Sequence, residues 1–215
     1  MDVFVDNWRD VLDGFWTTLQ LFVVSGLGAL LLGSLLAAAR VSPVPVLRGT
    51  AATYVTLFRN TPLLILILLT YYGLPELGIR FSFFVEITLA MGLYTAAFVA
   101  EALRSGVNAV PVGQAEAARS IGLPFSQSMT QVVLPQAYRA VVPPLASVLI
   151  ALAKNTSLAA AFGLADATFR MKGLLNDHPG DRLLIFLGFA LGYIVLVEAI
   201  SLSAGMLERR WRVER

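Results

Sequence analysis

Long apolar stretches, separated by shorter polar ones, make up most of the chain. Residues 15–39 are 25 consecutive positions without a charged side chain, and a helix needs about 20 mainly apolar residues to cross the hydrocarbon core of a bilayer. Further apolar stretches of comparable length cover residues 50–74, 82–103, 141–164 and 183–207. The pattern predicts an all-α polytopic membrane protein, with five transmembrane helices in a single domain over residues 1–215.

Three of these stretches carry residues that interrupt the apolar pattern. Arg59-Asn60-Thr61-Pro62 interrupts the second stretch, and the apolar run after this motif is too short to span a bilayer alone. The second span therefore needs residues 51–58 as its first turns, which puts Arg59 inside the membrane. Lys154 lies in the fourth stretch and Glu198 in the fifth.

The composition agrees with a membrane protein and excludes several classes of site. Hydrophobic residues make up 57% of the chain and charged residues 14%, against about a quarter charged in a typical soluble domain. The chain has no cysteine, so it holds no disulfide and no thiolate metal site, and its single histidine, His178, cannot form a metal cluster alone. A net charge of +2 is too small to indicate nucleic-acid binding. The acidic residues before the first apolar stretch are unlike a signal peptide, which begins with positive charge.

The distribution of lysine and arginine predicts which side of the membrane each terminus occupies. With five spans the termini lie on opposite sides, and cytoplasmic segments carry an excess of Lys and Arg. Placing the N-terminus outside puts nine of these residues inside and five outside. The inside set is Arg40, Arg48, Arg104, Arg119, Arg139, Arg209, Arg210, Arg212 and Arg215, and the outside set is Arg9, Arg80, Arg170, Lys172 and Arg182. We therefore expect a multi-pass protein of the cell membrane with a cytoplasmic C-terminus and Trp211 at headgroup level.

The polar segment 104–138, between the third and fourth stretches, is predicted to form a helical hairpin on the cytoplasmic side. Pro111 suits a helix start, and Gly122 suits the position just after a helix end, where a left-handed backbone is common. Pro124 then suits the first turn of a second short helix. We expect Pro135 to end that second helix.

The sequence of this hairpin has a recognisable pattern. Small side chains at Ala117 and Ala118 leave a low surface that could enter a cleft on a partner, and the alternative from local physics is a surface hairpin with no partner. Glu116-Ala117-Ala118, followed by Gly122 and by Leu134-Pro135, resembles the EAA loop of ABC importer permeases. The resemblance implies a type I permease fold in which this loop forms a coupling helix that seats in an ATPase subunit.

Three further motifs resemble the branch of that family that transports polar amino acids such as histidine, glutamine and glutamate. They are Arg59-Asn60-Thr61-Pro62-Leu63, Tyr94-Thr95-Ala96-Ala97-Phe98-Val99-Ala100-Glu101 and Lys154-Asn155-Thr156-Ser157. The runs 40–44, 113–120 and 149–156 resemble the actinobacterial glutamate permease subunits. Glutamate is therefore the implied substrate, with another polar amino acid as the alternative.

The resemblance also implies partners. ABC importer permeases work in the membrane lipid with ATPase subunits, with a homologous permease subunit or a second copy of themselves, and with an extracytoplasmic amino-acid-binding protein. The sequence contains no glycine-rich phosphate loop of the GxxxxGK(S/T) type. We therefore expect no cofactor and no enzymatic activity on this chain, with ATP and Mg²⁺ bound by a separate ATPase subunit. An ion-coupled secondary transporter is the alternative class, and the lack of an internal repeat argues against it.

Arg59 and Lys154 are candidates for a substrate path through the membrane. Counted from the predicted cytoplasmic ends of their spans, they lie about 14 and 20 Å deep at about 1.5 Å per residue. If the second span starts later, Arg59 lies instead at the inner interface. A Lys or Arg near the middle of the bilayer costs at least about 2.5–3.5 kcal/mol, so such residues usually face a cavity or a partner. An Asn-Thr pair follows each cation, Asn60-Thr61 and Asn155-Thr156, and could hydrogen-bond a polar substrate.

Glu198 offers a structural alternative for one of these cations. It lies at a comparable depth in the fifth span and could neutralise Arg59 or Lys154 as an internal ion pair. Two cations against one carboxylate still leave one positive charge, which would suit an anionic substrate. Glu101, near the cytoplasmic end of the third span, is expected to anchor a helix or a gate rather than to bind a ligand.

Overall fold

The structure, a computed structural model, describes the backbone of residues 2–211 and the side chains of residues 3–206. All regular secondary structure in this range is helical. The helices in chain order are α1 (Asp2–Asp6), α2 (Trp8–Arg40), α3 (Pro45–Asn60), α4 (Leu63–Glu76), α5 (Phe83–Asn108), α6 (Val112–Ser120), α7 (Phe125–Phe162), α8 (Ala167–Asp177) and α9 (Arg182–Trp211). The side chain of Trp211, expected at headgroup level, lies outside the described side chains.

Among the described residues, four helices are long and apolar enough to cross a membrane: α2, α5, α7 and α9. The pair α3 and α4 passes the same test only when taken together, and it is bent by 102° at the break between the two helices. The predicted all-α polytopic membrane fold is confirmed. It has four continuous spans, and the bent pair stands in place of the predicted second span.

The first span is longer than the apolar stretch that predicted it. α2 has 33 residues, which is about 50 Å at about 1.5 Å per residue, whereas the hydrocarbon core of a bilayer is about 30 Å thick. The helix begins at Trp8 rather than at the predicted residue 15, because helical turns outside the membrane need no continuous apolar sequence.

Helices α2 and α5 pack closely at the centre of the bundle. Ala29 of α2 is fully buried against Ala96 and Val99 of α5. A Cβ atom added to Gly33 would lie 2.6 Å from the Cβ of Val99, closer than real side chains approach. The absence of a side chain at Gly33 therefore permits the close approach of the two backbones.

The predicted second span, residues 50–74, is broken between α3 and α4 at the predicted interruption. Thr61 and Pro62 both have extended backbone, with ψ angles of 130° and 135°, because proline has no N–H to donate and its ring disfavours a helical residue before it. Through Val55, α3 packs against the second half of α5, whereas α4 packs against the first half through Ile67. The two helices therefore cover different parts of the bundle.

Helix α7 corrects the predicted end of the hairpin. We expected Pro135 to end a short second helix, and this prediction is wrong, because α7 continues through it to Phe162. Pro135 lies in the first turn of the α-helical part Leu134–Asn155, directly after a π-helical turn at Ser128–Val133. The wider turn changes the hydrogen-bonding register, so the missing proline N–H is tolerated. The predicted fourth span, residues 141–164, falls within the second half of α7 and the turn after it.

The short helix α8 joins α2 and α9 at one end of the bundle. The Asp166 carboxylate begins the helix by accepting a hydrogen bond from the Phe169 N–H at 2.8 Å. The Ala167 N–H donates to Oγ1 of Thr18 on α2 at 3.1 Å. Burial raises the pKa of Asp166 to about 6, against the opposing effect of its hydrogen bonds. The segment between the fourth and fifth spans is therefore an ordered part of the fold.

Candidate functional site

We define the EAA hairpin as residues 112–134. Its turn has the geometry that the sequence predicts. Helix α6 ends in a Schellman motif, because the Leu123 N–H donates to the Ala118 carbonyl at 3.2 Å and the Gly122 N–H donates to the Arg119 carbonyl at 3.0 Å. Gly122 has a φ of +88°, in the left-handed region that other residues disfavour. The expected left-handed backbone at Gly122 is confirmed.

The predicted coupling residues differ in how much surface they offer. Glu116, Ala117 and Gly122 are exposed, whereas Ala118 is buried. Leu134-Pro135 is half-buried at the base of the hairpin, where α6 packs against the π-helical turn of α7. The part of the EAA hairpin that is free to touch a partner is therefore the outer face of α6 and its turn.

Three large apolar side chains on the EAA hairpin are also exposed, and sequence reasoning missed them. Val112 is 72% exposed, Ile121 is 79% exposed and Phe125 is 74% exposed. Large apolar side chains that remain exposed beside polar ones, outside the apolar spans, mark an interaction surface. The signal in the sequence is their position at the two ends of α6 and at the start of α7.

Four charged side chains, which we call the Glu101 cluster, meet where α2, α3 and α5 come together. Nη1 of Arg40 donates to Oε2 of Glu101 at 2.6 Å. Nε of Arg104 donates to Oε1 of Glu101 at 3.2 Å. Nη1 of Arg59 lies 3.9 Å from Oε2 of the same carboxylate. Glu101 therefore links three helices, which fits the expectation that it anchors a helix.

Arg59 is the least compensated member of the Glu101 cluster. Each carboxylate oxygen of Glu101 already accepts a hydrogen bond from Arg40 or Arg104, and 3.9 Å is beyond normal hydrogen-bonding distance. The Arg59 guanidinium carbon instead lies 5.6 Å from the centre of the Phe98 ring, within the range of a cation–π contact. The cluster holds three guanidinium groups and one carboxylate, so it carries excess positive charge.

The position of Arg59 differs from the sequence prediction. We expected Arg59 about 14 Å deep in the membrane, or at the inner interface if the second span starts later, with Glu198 as a possible partner. It lies instead beside Glu101, which is about 10 Å from the end of α5 at about 1.5 Å per residue, and near Arg40, the last residue of α2. Val55 of α3 packs against Ala97 and Ala100 of α5, which places the end of α3 near Glu101.

A groove between α5 and α7, the Phe98 groove, lies next to Arg59. It has a volume of about 240 Å³ and is lined by Tyr94, Thr95, Phe98, Ser147, Val148, Ala151, Leu152 and Asn155. The polar or aromatic residues Tyr94 and Phe98 are four positions apart on α5, and Ser147, Ala151 and Asn155 repeat at the same spacing on α7, so each set shares one helix face. Of the residues that line this groove, the sequence identified only Asn155 as part of a substrate path. The four-residue spacing on the two helices was the sequence signal that could have identified the others.

The other predicted path residues do not all reach this groove. Asn60 is exposed at the end of α3, and the Thr61 hydroxyl donates to the Leu57 carbonyl at 2.9 Å. Thr156 is fully buried, and its hydroxyl donates to the Ala153 carbonyl at 2.7 Å. Of the two predicted Asn-Thr pairs, only Asn155 lines the Phe98 groove.

Lys154 and Glu198 share a second groove, which we call the Lys154 groove. It has a volume of about 290 Å³ and is lined by Lys154, Tyr193, Ile194, Val197 and Glu198. The predicted ion pair of Glu198 with Lys154 or Arg59 is absent from the described residues. Lys154 and Asn155, although adjacent in sequence, therefore line different grooves.

The described residues contain no group of three or more His, Asp or Glu side chains placed to hold a metal ion. The two grooves offer charge, hydrogen-bonding groups and aromatic rings to a ligand. This chemistry suits a small polar molecule.

The sequence matches one protein family over most of its length. Residues 29–213 match the family described as the inner membrane component of binding-protein-dependent transport systems. The chain belongs to this family. It is therefore a multi-pass membrane component of a transport system that works with a binding protein.

Several relatives match nearly the whole length of the chain. The glutamate transport system permease protein of Corynebacterium efficiens is 41% identical over 97% of this chain and 98% of that protein. The glutamate/aspartate import permease protein of Escherichia coli K12 is 34% identical over 93% of this chain and 86% of that protein. A probable glutamine ABC transporter permease protein of Bacillus subtilis is 35% identical over 98% of this chain and 97% of that protein.

The fold is also that of solved transporters. A crystal structure of an amino acid ABC transporter with histidines contains a chain with a TM-score of 0.88 and 29% identity, and the match covers 96% of both chains. An inward-facing methionine ABC transporter structure gives a TM-score of 0.70 at 22% identity over 94% of this chain and 96% of that chain, which shows a common fold. The predicted type I permease fold is confirmed.

Proposed function

We propose that this chain is the permease subunit of an ATP-driven ABC importer for glutamate. The observation that carries the choice of an acidic amino acid is the excess positive charge of the Glu101 cluster beside the Phe98 groove. Arg59 contacts Phe98, a wall of that groove, while Glu101 is already hydrogen-bonded to Arg40 and Arg104. A substrate carboxylate is the natural partner for the remaining guanidinium.

The names of the relatives support the same substrate but leave a neighbouring alternative. The matched permeases of Corynebacterium efficiens and Corynebacterium glutamicum are named for glutamate, and that of Escherichia coli K12 for glutamate and aspartate. Relatives in Bacillus subtilis are named for glutamine and for arginine. Another polar amino acid is therefore the second candidate, and an ion-coupled secondary transporter has no observation in its favour.

The EAA hairpin is proposed to couple this chain to ATP hydrolysis on a separate ATPase subunit. The exposed face with Glu116 and Ala117 is bordered by Ile121 and Phe125, so it offers both polar and apolar contacts to a cleft. No cofactor is proposed for this chain, and ATP with Mg²⁺ is expected on the ATPase. Closure of two ATPase subunits would move the hairpins and switch the grooves between outward and inward access.

The pore is proposed to form between this chain and either a homologous permease subunit or a second copy of itself. An extracytoplasmic amino-acid-binding protein delivers the substrate in this scheme. Selectivity can reside largely in that protein, so Asn155 and the cations Arg59 and Lys154 need only guide the substrate and release it.

The decisive experiment is transport by the reconstituted complex. The permease subunits, the ATPase and the binding protein in proteoliposomes are tested against a panel of radiolabelled amino acids. Glutamate uptake that depends on ATP is the expected result. Uptake of glutamine or arginine in its place would contradict the substrate, and uptake without ATP would contradict the importer class.

The orientation is a separate proposal, with the N-terminus outside and the C-terminus in the cytoplasm. The Lys and Arg distribution supports it. Arg40, Glu101 and the EAA hairpin lie towards the same end of the bundle, as a cytoplasmic coupling face requires. A tag placed before Asp2 is expected to react with an impermeant label on intact cells, and protection of the tag until the cells are lysed would contradict this orientation.

Neutralising Arg59 is expected to reduce glutamate transport about tenfold. A charge-assisted hydrogen bond contributes about 1.5–3 kcal/mol, and about 1.4 kcal/mol corresponds to a factor of ten. The measurement is the initial rate of glutamate uptake by Arg59→Met in proteoliposomes, normalised to assembled complex. The complex is expected to assemble, because Arg40 and Arg104 still satisfy Glu101.

Arg40→Met is the matched control for this variant. It removes the same charge from the same cluster, but it takes away the 2.6 Å hydrogen bond to Glu101. It is therefore expected to reduce assembly and stability first. Normal glutamate uptake by Arg59→Met, or the same assembly defect in both variants, would contradict the role of Arg59 in the substrate path.

A further inference from the structure

The Lys154 groove places two opposite charges on two different spans without joining them. Lys154 is exposed near the end of the α-helical part of α7, and Glu198 is exposed on α9. Both line the same groove of about 290 Å³. Within the described residues, the Lys154 ammonium and the Glu198 carboxylate form no ion pair or side-chain hydrogen bond. The groove is therefore open between a cation and an anion.

The depth of the groove makes this arrangement costly when it is empty. Glu198 lies about 22 Å and about 14 Å from the two ends of the predicted fifth span, residues 183–207, at about 1.5 Å per residue, so it is well inside a membrane span. A charged side chain there costs at least about 2.5–3.5 kcal/mol unless it faces a cavity or a partner. Lys154 and Glu198 form no ion pair with each other, so a molecule that carries both charges would compensate the two groups together.

The wall of the groove is held in place by the contacts of α8. Tyr193 lines the groove, and its hydroxyl is 2.9 Å from Oγ1 of Thr168 and 3.4 Å from Oδ2 of Asp166. Its ring also packs edge-on against Phe15 of α2. The aromatic wall next to Lys154 and Glu198 is therefore fixed from two sides.

The charges select the kind of ligand. A purely anionic ligand would pair with Lys154 and leave Glu198 unpaired, and a purely cationic ligand would do the reverse. The head group of an α-amino acid carries a carboxylate and an ammonium on one carbon, so it satisfies both charges at once. The volume of about 290 Å³ is just below the range of about 300–1,000 Å³ typical of ligand pockets, which suits a small molecule.

We propose that Lys154 and Glu198 form a binding site for the zwitterionic head group of the transported amino acid. The Lys154 ammonium binds the α-carboxylate, and the Glu198 carboxylate binds the α-ammonium. This inference rests on the proposed import of an amino acid. It assigns recognition of the common head group to the Lys154 groove, separately from the side-chain carboxylate attributed above to Arg59.

The test is direct binding of radiolabelled glutamate to the detergent-purified membrane complex with its ATPase and without the binding protein. Two competitors each lack one charge of the head group: glutarate has no ammonium, and 4-aminobutyrate has no α-carboxylate. The wild-type complex is expected to bind glutamate and to be displaced only weakly by either compound. The variants are Glu198→Gln, Lys154→Met and the double substitution, with Glu76→Gln and Lys172→Met, both at exposed positions outside the groove, as controls.

The expected pattern is specific to a zwitterion site. Glu198→Gln is expected to weaken glutamate binding about tenfold while glutarate binding is unchanged, so that the preference for glutamate over glutarate falls. Lys154→Met is expected to do the same for the preference over 4-aminobutyrate. The double variant is expected to bind glutamate no better than either single variant, and the two controls are expected to match the wild type.

Several results would overturn the inference. If Lys154 and Glu198 are only a structural pair, each single variant leaves an uncompensated charge in the membrane, and the double variant recovers both stability and glutamate binding. If a charge of the second permease subunit fills the groove, the variants disrupt subunit assembly and leave the competition pattern unchanged. If the wild-type complex binds no glutamate but still imports it after reconstitution, the head-group site fails while the proposed import function stands.

Discussion

Import is expected to stop when Gly122 is replaced by valine, although the protein still inserts in the membrane. Gly122 has a φ of +88°, and a Cβ atom added to it would have no neighbouring atom within 4 Å, so the substitution causes backbone strain and not a clash. The left-handed conformation costs about 1–2 kcal/mol for an ordinary residue and more for a β-branched one. Relief of this strain would unwind the Schellman turn and move the exposed face of α6. ATP-dependent glutamate uptake and co-purification with the ATPase are the measurements.

A second glycine in the chain provides a matched control. Gly78 has a φ of +77° and is equally free of neighbours, but it follows α4, far along the chain from the EAA hairpin. Gly78→Val introduces the same kind of strain outside the proposed coupling surface, so it is expected to keep most of the import activity. Wild-type import by Gly122→Val, or an equal loss of import in both variants, would contradict the coupling role assigned to this turn.

Replacing Glu101 with glutamine is expected to destabilise the subunit strongly. The substitution leaves the guanidinium groups of Arg40, Arg59 and Arg104 together without a carboxylate. Removing one partner of a fully buried ion pair costs about 3–5 kcal/mol. These four side chains are between 21% and 43% exposed, so screening by water reduces the expected cost to about 2 kcal/mol.

For a chain of this size, that cost corresponds to a fall of about 4–8 °C in the midpoint of thermal unfolding. The midpoint is measured on the detergent-solubilised complex by size-exclusion chromatography after heating. Glu76→Gln is the control, because Glu76 is exposed and forms no ion pair among the described residues. An unchanged midpoint for Glu101→Gln would show that the cluster contributes little to holding α2, α3 and α5 together.

The sequence alone predicted that this protein lies in a membrane, and it predicted the fold class and the family. The uncharged run of residues 15–39 is long enough to cross a bilayer. Its backbone groups must then be satisfied within a helix, because lipid offers them no hydrogen bonds. The spacing of Pro111, Gly122 and Pro124 predicted the first helix of the EAA hairpin and its turn. These features are local, so short-range rules were sufficient to predict them.

The bend at Pro62 and the continuation of α7 through Pro135 show where local rules were insufficient. Both prolines follow the same rule for a missing N–H donor. At Pro62 the chain turns by 102°. At Pro135, a π-helical turn directly precedes the proline and the helix continues. The rule for the missing N–H donor does not by itself distinguish these two outcomes.

The partners of the charged residues were decided by the tertiary structure. Depth along a presumed straight span suggested that Glu198 neutralises Arg59 or Lys154. The structure instead places Arg59 near Glu101, together with two other arginines. Lys154 and Asn155 are adjacent in sequence, but successive residues on a helix point about 100° apart, so they line different grooves. Sequence identifies which charges enter a membrane, and only the arrangement of the helices determines which of them meet.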